Sequence, residues 1–200
     1  MSAHENLEHA EHAAHASHSS KGIALLISIL AALLAFSETL GKNAQTNAIT
    51  YNVTANDLWA FFQAKTIRMT VLNTATEQMQ IEADRAADAN TKAQLAKTID
   101  NWKALIARYD DEPSTNEGRK QLTARARDAE ESREVALARY HNYEYASALF
   151  QLGIVLASAS VITSMAVLAW LSGTLGAIGL VLTGLGLWAP NALHFLAGAH

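Results

Sequence analysis

Three apolar runs and one long heptad-patterned stretch divide this chain, and their order sets its architecture. Gly22 to Leu40 (GIALLISILAALLAFSETL) carries Glu38 as its only charge. At 1.5 Å per residue that is roughly 28 Å of helix, about one hydrocarbon core. The chain turns apolar again at Ala146 and stays so to Trp188, interrupted at Ser172-Gly173, where a turn is expected. The pattern predicts one transmembrane helix over residues 22–40 and a C-terminal membrane hairpin over 148–171 and 173–189. Trp170 and Trp188 would lie near opposite ends of the third span, at headgroup level. Outside the spans lie a polar, His-rich tail (1–21), a soluble stretch (41–147) and a short C-terminal tail (190–200). A cleaved secretory signal is the rival reading of the first run. One Lys and three Glu precede it, and no small-x-small site closes it, so the helix is read as retained.

The soluble stretch repeats in heptads. Leu58, Phe62, Lys65, Met69, Leu72, Thr76, Met79, Ala83 and Ala86 follow a 4-3 spacing, and Leu95, Ile99, Trp102, Ile106 and Tyr109 do so in another frame. The frame breaks near Asp88 to Lys92. A chain that leaves a membrane near Gly41 and returns near Ala146 makes an even number of long passes. Residues 43–88 form one arm; residues 91–110 and 119–147 form an arm of nearly equal length once the Pro- and Gly-containing DDEPSTNEG is set aside as a loop. The prediction is an all-α membrane protein: three transmembrane helices and an antiparallel coiled-coil hairpin up to about 70 Å long, its core including Leu58, Phe62, Met69, Leu72, Ile99, Trp102 and Ile106.

Charge refines this picture. Of the 15 Lys and Arg residues, Lys21 precedes the first run and the others lie between Lys42 and Arg139. The last sixty residues carry Glu144 as their only formal charge. Lys42, Arg133 and Arg139 near the span ends place the hairpin in the cytoplasm of a bacterial cell, with the protein in the inner membrane. The net charge of −4 without a basic block argues against nucleic acid. Zero cysteines exclude disulfides and thiolate chemistry.

Particular residues then become informative. SETLGKNAQTN from Ser37, followed by Asn56 to Met69 with its run Trp59-Ala60-Phe61-Phe62-Gln63-Ala64-Lys65, resembles a bacterial family described as domain of unknown function 4337. Phe150-Gln151, opening FQLGIVLASASVIT, and the Gly-rich third span agree with it. The resemblance runs from Lys21 to Trp188 and implies a membrane protein with a coiled coil. It implies no activity, and it implies a helix running through residues 110–118, where this sequence has a loop.

Candidate chemistry is sparse. His9, His12, His15 and His18 recur every three residues, with His4 ahead of them and Glu5, Glu8 and Glu11 interleaved, a donor set suited to zinc, nickel or copper. A free polar tail is the plainer reading. Glu38 within a span is a functional candidate, because a buried charge there is costly. Its place near the exit favours anchoring, with Lys42 or Gln151 as partner. Lys65 on the seam would fix register. Trp59 or Phe61, one ring more than the seam needs, offers a partner contact. Tyr140, Tyr143 and Tyr145 form an interfacial belt. Gly153, Ala157, Ser160 and Ser164 make one small-residue stripe, and Gly176, Gly179, Thr183 and Gly186 another, serving either the membrane hairpin or an oligomer. No nucleophile-and-base set, Walker motif or dinucleotide fingerprint occurs, so no enzyme and no cofactor are expected. The sequence points to a membrane-anchored interaction or scaffold protein, a homo-oligomer or an accessory subunit of a larger membrane complex. The alternative is an ion- or metal-linked transport component using Glu38 and the His-rich tail.

Overall fold

A computed structural model describes the backbone of residues 3–192 and the side chains of residues 21–192. The described chain is all-α, with no strand: α1 (Ala3–Arg85), α2 (Ala89–Asp110), α3 (Arg119–Thr163) and α4 (Ala166–Trp188). α1, α3 and α4 are each long and apolar enough to cross a membrane. They fall into two compact units, one built from the chain up to Ala48 and from Glu134 onward, the other from Ile49–Arg133.

In the first unit, α1 and α4 run in the same direction and α3 runs against both. Leu30 of α1 is buried against Gly153 of α3 and Gly176 of α4, while Phe150 of α3 lies on Gly179. Tyr143, near the other end, packs on Gly41 and Gly186. These three contacts climb α1 and α4 as they descend α3, which fixes the antiparallel order. The turn between α3 and α4 lies at Ser164-Met165, not at the expected Ser172-Gly173. Ser164 takes a left-handed backbone with φ 58°, and Ser160 Oγ donates to the Met165 carbonyl at 3.0 Å, so a serine does what a glycine was expected to do. Gly173 simply continues a helix, which an apolar flank and good local propensity on both sides allow. Ser172 is fully buried and donates to the Gly153 carbonyl at 2.7 Å.

In the second unit, α1 meets α2 and the start of α3. The link between α1 and α2 is three residues, and Asp88 caps α2 by accepting from the Thr91 N–H at 2.8 Å. Those donors hold the Asp88 carboxyl below the usual carboxylate range. Lys65 and Tyr109 stand about equally far from this link and touch, with Nζ 5.6 Å from the ring centre, so α2 runs antiparallel to α1. After the 111–118 loop, α3 continues in the same sense: Leu122 and Ala126 bury Leu58, Trp59 Nε1 donates to Glu130 at 2.8 Å, and Arg133 reaches Asn52. Every heptad position named above is buried or half-buried, with Leu58, Lys65, Thr76, Ala83 and Ile99 the deepest, and the structure adds Ala55 to the buried seam. The loop therefore breaks the returning arm without reversing it.

Candidate functional site

Two polar assemblies stand out, one in each unit. In the first unit a cleft of about 410 Å³ opens between α1 and α3, lined by Ser37, Glu38, Lys42, Gln45, Glu144 and Gln151 among others. Helical spacing places Glu38, Lys42 and Gln45 on one face, and Glu144, Ser147, Ala148 and Gln151 on the face opposite. Gln151 Nε2 reaches Glu38 Oε1 at 3.5 Å, so the expected partnership is made, though at the limit of hydrogen bonding. Ser37, fully buried, donates instead to the Tyr143 carbonyl at 3.0 Å. Glu38 and Gln151 are both exposed. The cleft thus presents two carboxylates and one ammonium on its open side, and none of the acids that line it is buried.

In the second unit Lys65 is buried, its side chain 4 % exposed, where sequence placed it on the seam. Its ammonium lies 3.6 Å from Glu112 and 3.9 Å from Glu117, and 5.1 Å from the Phe61 ring centre. Glu112 also accepts from Arg108 Nε at 2.6 Å. Burial pushes the Glu112 carboxyl up, but the hydrogen bond and charge of Arg108, with the Lys65 charge behind them, outweigh it and hold it low. Asp111, held by Gln121 and Lys120, is lowered as well. Arg119 lies over Phe62 at 4.8 Å, and Lys120 bonds Asp111 at 3.0 Å. The loop is tied down at both ends by charge.

Several expectations are corrected by this geometry. Trp59 and Phe61 are not spare rings for a partner: Trp59 bonds Glu130 and stands edge-on to Phe62 at 5.6 Å, and Phe61 lies under Lys65. Tyr143 is a buried packing residue rather than a belt tyrosine, whereas Tyr145 is exposed. The stripes Gly153, Ala157, Ser160 and Gly176, Gly179, Thr183, Gly186 are buried within the first unit, and Ser164 leaves its stripe for the turn. Large side chains seated on the glycines use both stripes up inside the protomer. Trp170 and Trp188 are strongly exposed near the two ends of α4. The imidazoles of His9, His12, His15 and His18 lie outside the described residues. Among the described residues no three His, Cys, Asp or Glu side chains gather as a metal site.

The acids around Lys65 went unread in the sequence because they sit in a segment set aside as loop. The signal was there: stepping from Lys65 to the α1–α2 link and the same distance beyond reaches Tyr109, less than one helical turn before Glu112. Asn142, whose buried amide donates to the Pro190 carbonyl at 3.0 Å, gave no such signal.

No curated protein and no solved structure matches the chain. One family model does, over residues 19–189, which takes in the α1 exit, the Trp59 to Lys65 run, the charged loop and both helices of the apolar turn. The chain belongs to the family described as domain of unknown function (DUF4337).

Proposed function

We propose that this chain is a non-enzymatic, three-span inner-membrane protein whose second unit works in the cytoplasm as an interaction surface, within an oligomer or as an accessory subunit. The observation that carries the reading is the outer surface of the first unit. Leu25, Ile29, Phe36, Leu152, Val155, Ile178, Leu180 and Val181 are all exposed, although the unit has a close-packed interior. Such a continuous apolar exterior is stable in lipid and not in water. Dimensions agree. From Tyr143 to Thr163 on α3 and from Ala166 to Gly186 on α4 are equal rises of roughly 30 Å, the thickness of a hydrocarbon core. Met165 at the turn would then reach one interface, and Lys42, Arg139 and Trp188 the other. Three spans put the N-terminus opposite the second unit, and the basic flank favours the cytoplasm for that unit.

An interaction role is favoured over transport by what the polar groups do. Glu38 lies one turn before the exit of the first span at Gly41, close enough for its carboxylate to reach headgroup level, and it touches Gln151, so it serves as an anchor rather than as a step in a path across the bilayer. The test is extraction and purification of the full chain in a mild detergent and in nanodiscs. Resistance to alkaline carbonate, recovery as a species heavier than one protomer and an oxidising reporter that stays silent when inserted after Ala89 are the expected results. Release by carbonate overturns the membrane placement. A strictly monomeric protein with nothing co-purifying overturns the interaction reading.

A further inference from the structure

The second unit leaves one face of α1 unused. Ile49, Val53, Ile67, Val71 and Ile81 are between 51 % and 64 % exposed, and Ala60 on the same line is exposed too. At 100° per residue these six positions fall within an arc of about 80°. The buried seam of Ala55, Leu58, Lys65, Thr76 and Ala83 lies on the far side of the helix. This face is also free of charge. The formally charged residues of α1 between Ile49 and Ile81 are Asp57, Lys65, Arg68 and Glu77; Lys65 is in the seam, and the other three flank the stripe. α1 is therefore two-faced here: one line holds α2 and α3, and a second, nearly opposite, apolar but for the uncharged and exposed Asn56, Gln63, Thr74 and Gln78, holds nothing among the described residues.

We propose that this second line is the contact between two copies of the chain, packed with their α1 helices parallel. The inference rests on the membrane placement and interaction role argued above and names their surface. The size of the stripe speaks for another helix as its occupant. It is about 48 Å long and about 10 Å wide, or roughly 500 Å² on each copy. The pair would bury about 1,000 Å², the lower edge of a specific interface, and too narrow a strip for a compact globular partner. Confinement in one bilayer raises the effective concentration enough for so modest an area to hold.

The composition of the stripe speaks for a second copy. Two copies in one membrane share an orientation, so a two-fold axis along the membrane normal sets each residue of α1 beside its own counterpart. Any ionisable residue on such a line would face its own charge, and this line has none over more than four heptads. Val53, Ala60, Ile67, Thr74 and Ile81 recur every seven residues, the repeat of helices that supercoil together. Asn56, exposed on the same line, would meet its counterpart amide to amide and fix the register.

The chain has no cysteine, so single-cysteine variants of the full protein give an unambiguous test. In native membranes under mild oxidation, Val53→Cys, Ile67→Cys and Ile81→Cys should each form a disulfide dimer at least several-fold above Asn73→Cys, an exposed position off the line. Crosslinking at Ile67→Cys alone, near the middle of the stripe, would indicate antiparallel helices and overturn the proposal. So would a disulfide to a different protein, or equal yields at all four positions. Ile67→Glu with Val71→Glu should abolish the dimer while helicity by circular dichroism stays at the wild-type value. If that double variant still dimerises, the stripe is not the contact. A dimer that persists without crosslinking on the stripe overturns this inference and leaves the interaction role standing, whereas a monomer throughout overturns both.

Discussion

Between its helices the second unit places Leu58 against Leu122 and Ala126, Ala83 and Ile99 deep in the seam, and Lys65 held by two glutamates. The first unit places Leu30, Phe150 and Tyr143 on glycines, with Ser37 and Ser172 bonding backbone carbonyls across the contact. In water, apolar side chains gain free energy simply by leaving solvent, so ordinary heptads suffice and a charge can be tolerated when paired. In lipid that gain vanishes, and helices associate through close approach and hydrogen bonds. The two units differ as those two solvents would require, which makes the contrast a tool for testing the membrane placement.

The largest effect is expected where burial is complete. Leu122→Ala removes a fully buried side chain from the cluster around Leu58 and should cost about 2–5 kcal/mol, the range for such truncations. Ile106→Ala, half-buried, should cost less, and Asn90→Ala, exposed beside the α1–α2 link, nearly nothing. Urea melts of the detergent-solubilised chain give the order; equal midpoints for all three would reject the heptad frames.

Next comes the first unit, where the damage runs the other way, from small to large. A Cβ on Gly179 would stand 2.8 Å from the Phe150 ring and one on Gly186 2.6 Å from Tyr143. Gly179→Leu should therefore destabilise by about 1–3 kcal/mol or more through overpacking. Gly173, with nothing within 4 Å, should accept Ala and gain helix propensity. Heat-induced aggregation in detergent separates the two, and an equal response would mean that glycine packing does not hold this unit together.

How far the sequence could be read follows from the same contrast. Periodicity marks what one helix does with its own faces, so the seam from Leu58 to Ala86 and the arm break at 111–118 were legible. The small-residue stripes were legible as contacts, but not whether they close within the protomer; that depends on Leu30, Phe150 and Tyr143, large residues with no periodic signature. The turn was misplaced because Gly is the usual residue for a left-handed backbone, and here Ser164, bridged by Ser160, takes it. Glu112 was missed because a loop hides residues that only the opposing helix explains.

A smaller effect separates the units by pH. The Glu112 carboxyl is depressed in the folded chain, so its contribution is present above the ordinary carboxylate range and lost as pH falls through its lowered folded value. Thermal stability of the second unit should thus decline on acidification below about pH 4.5, and Glu112→Gln should flatten that part of the decline. Lys65→Met, which removes the buried cation along with its need for partners, should be tolerated better than Glu112→Ala, which leaves the cation short of its nearest anion. The glycine contacts of the first unit carry no carboxylate and should show no matching acid transition.

The smallest effect should come from Glu38→Gln, and its smallness is informative. The carboxylate is exposed and touches Gln151 at the limit of hydrogen bonding. An amide of the same shape can keep that contact, and exposed polar pairs contribute little. Expression, carbonate resistance and oligomer mass should stay near wild type. A transport component would respond differently, because an amide cannot bind and release a proton or balance a cation. Proteoliposomes loaded with a pH-sensitive dye offer the decisive comparison. Wild-type and Glu38→Gln vesicles should leak protons at one and the same low rate; a wild-type flux abolished by the substitution, with the oligomer intact, would move the function from interaction surface to ion coupling.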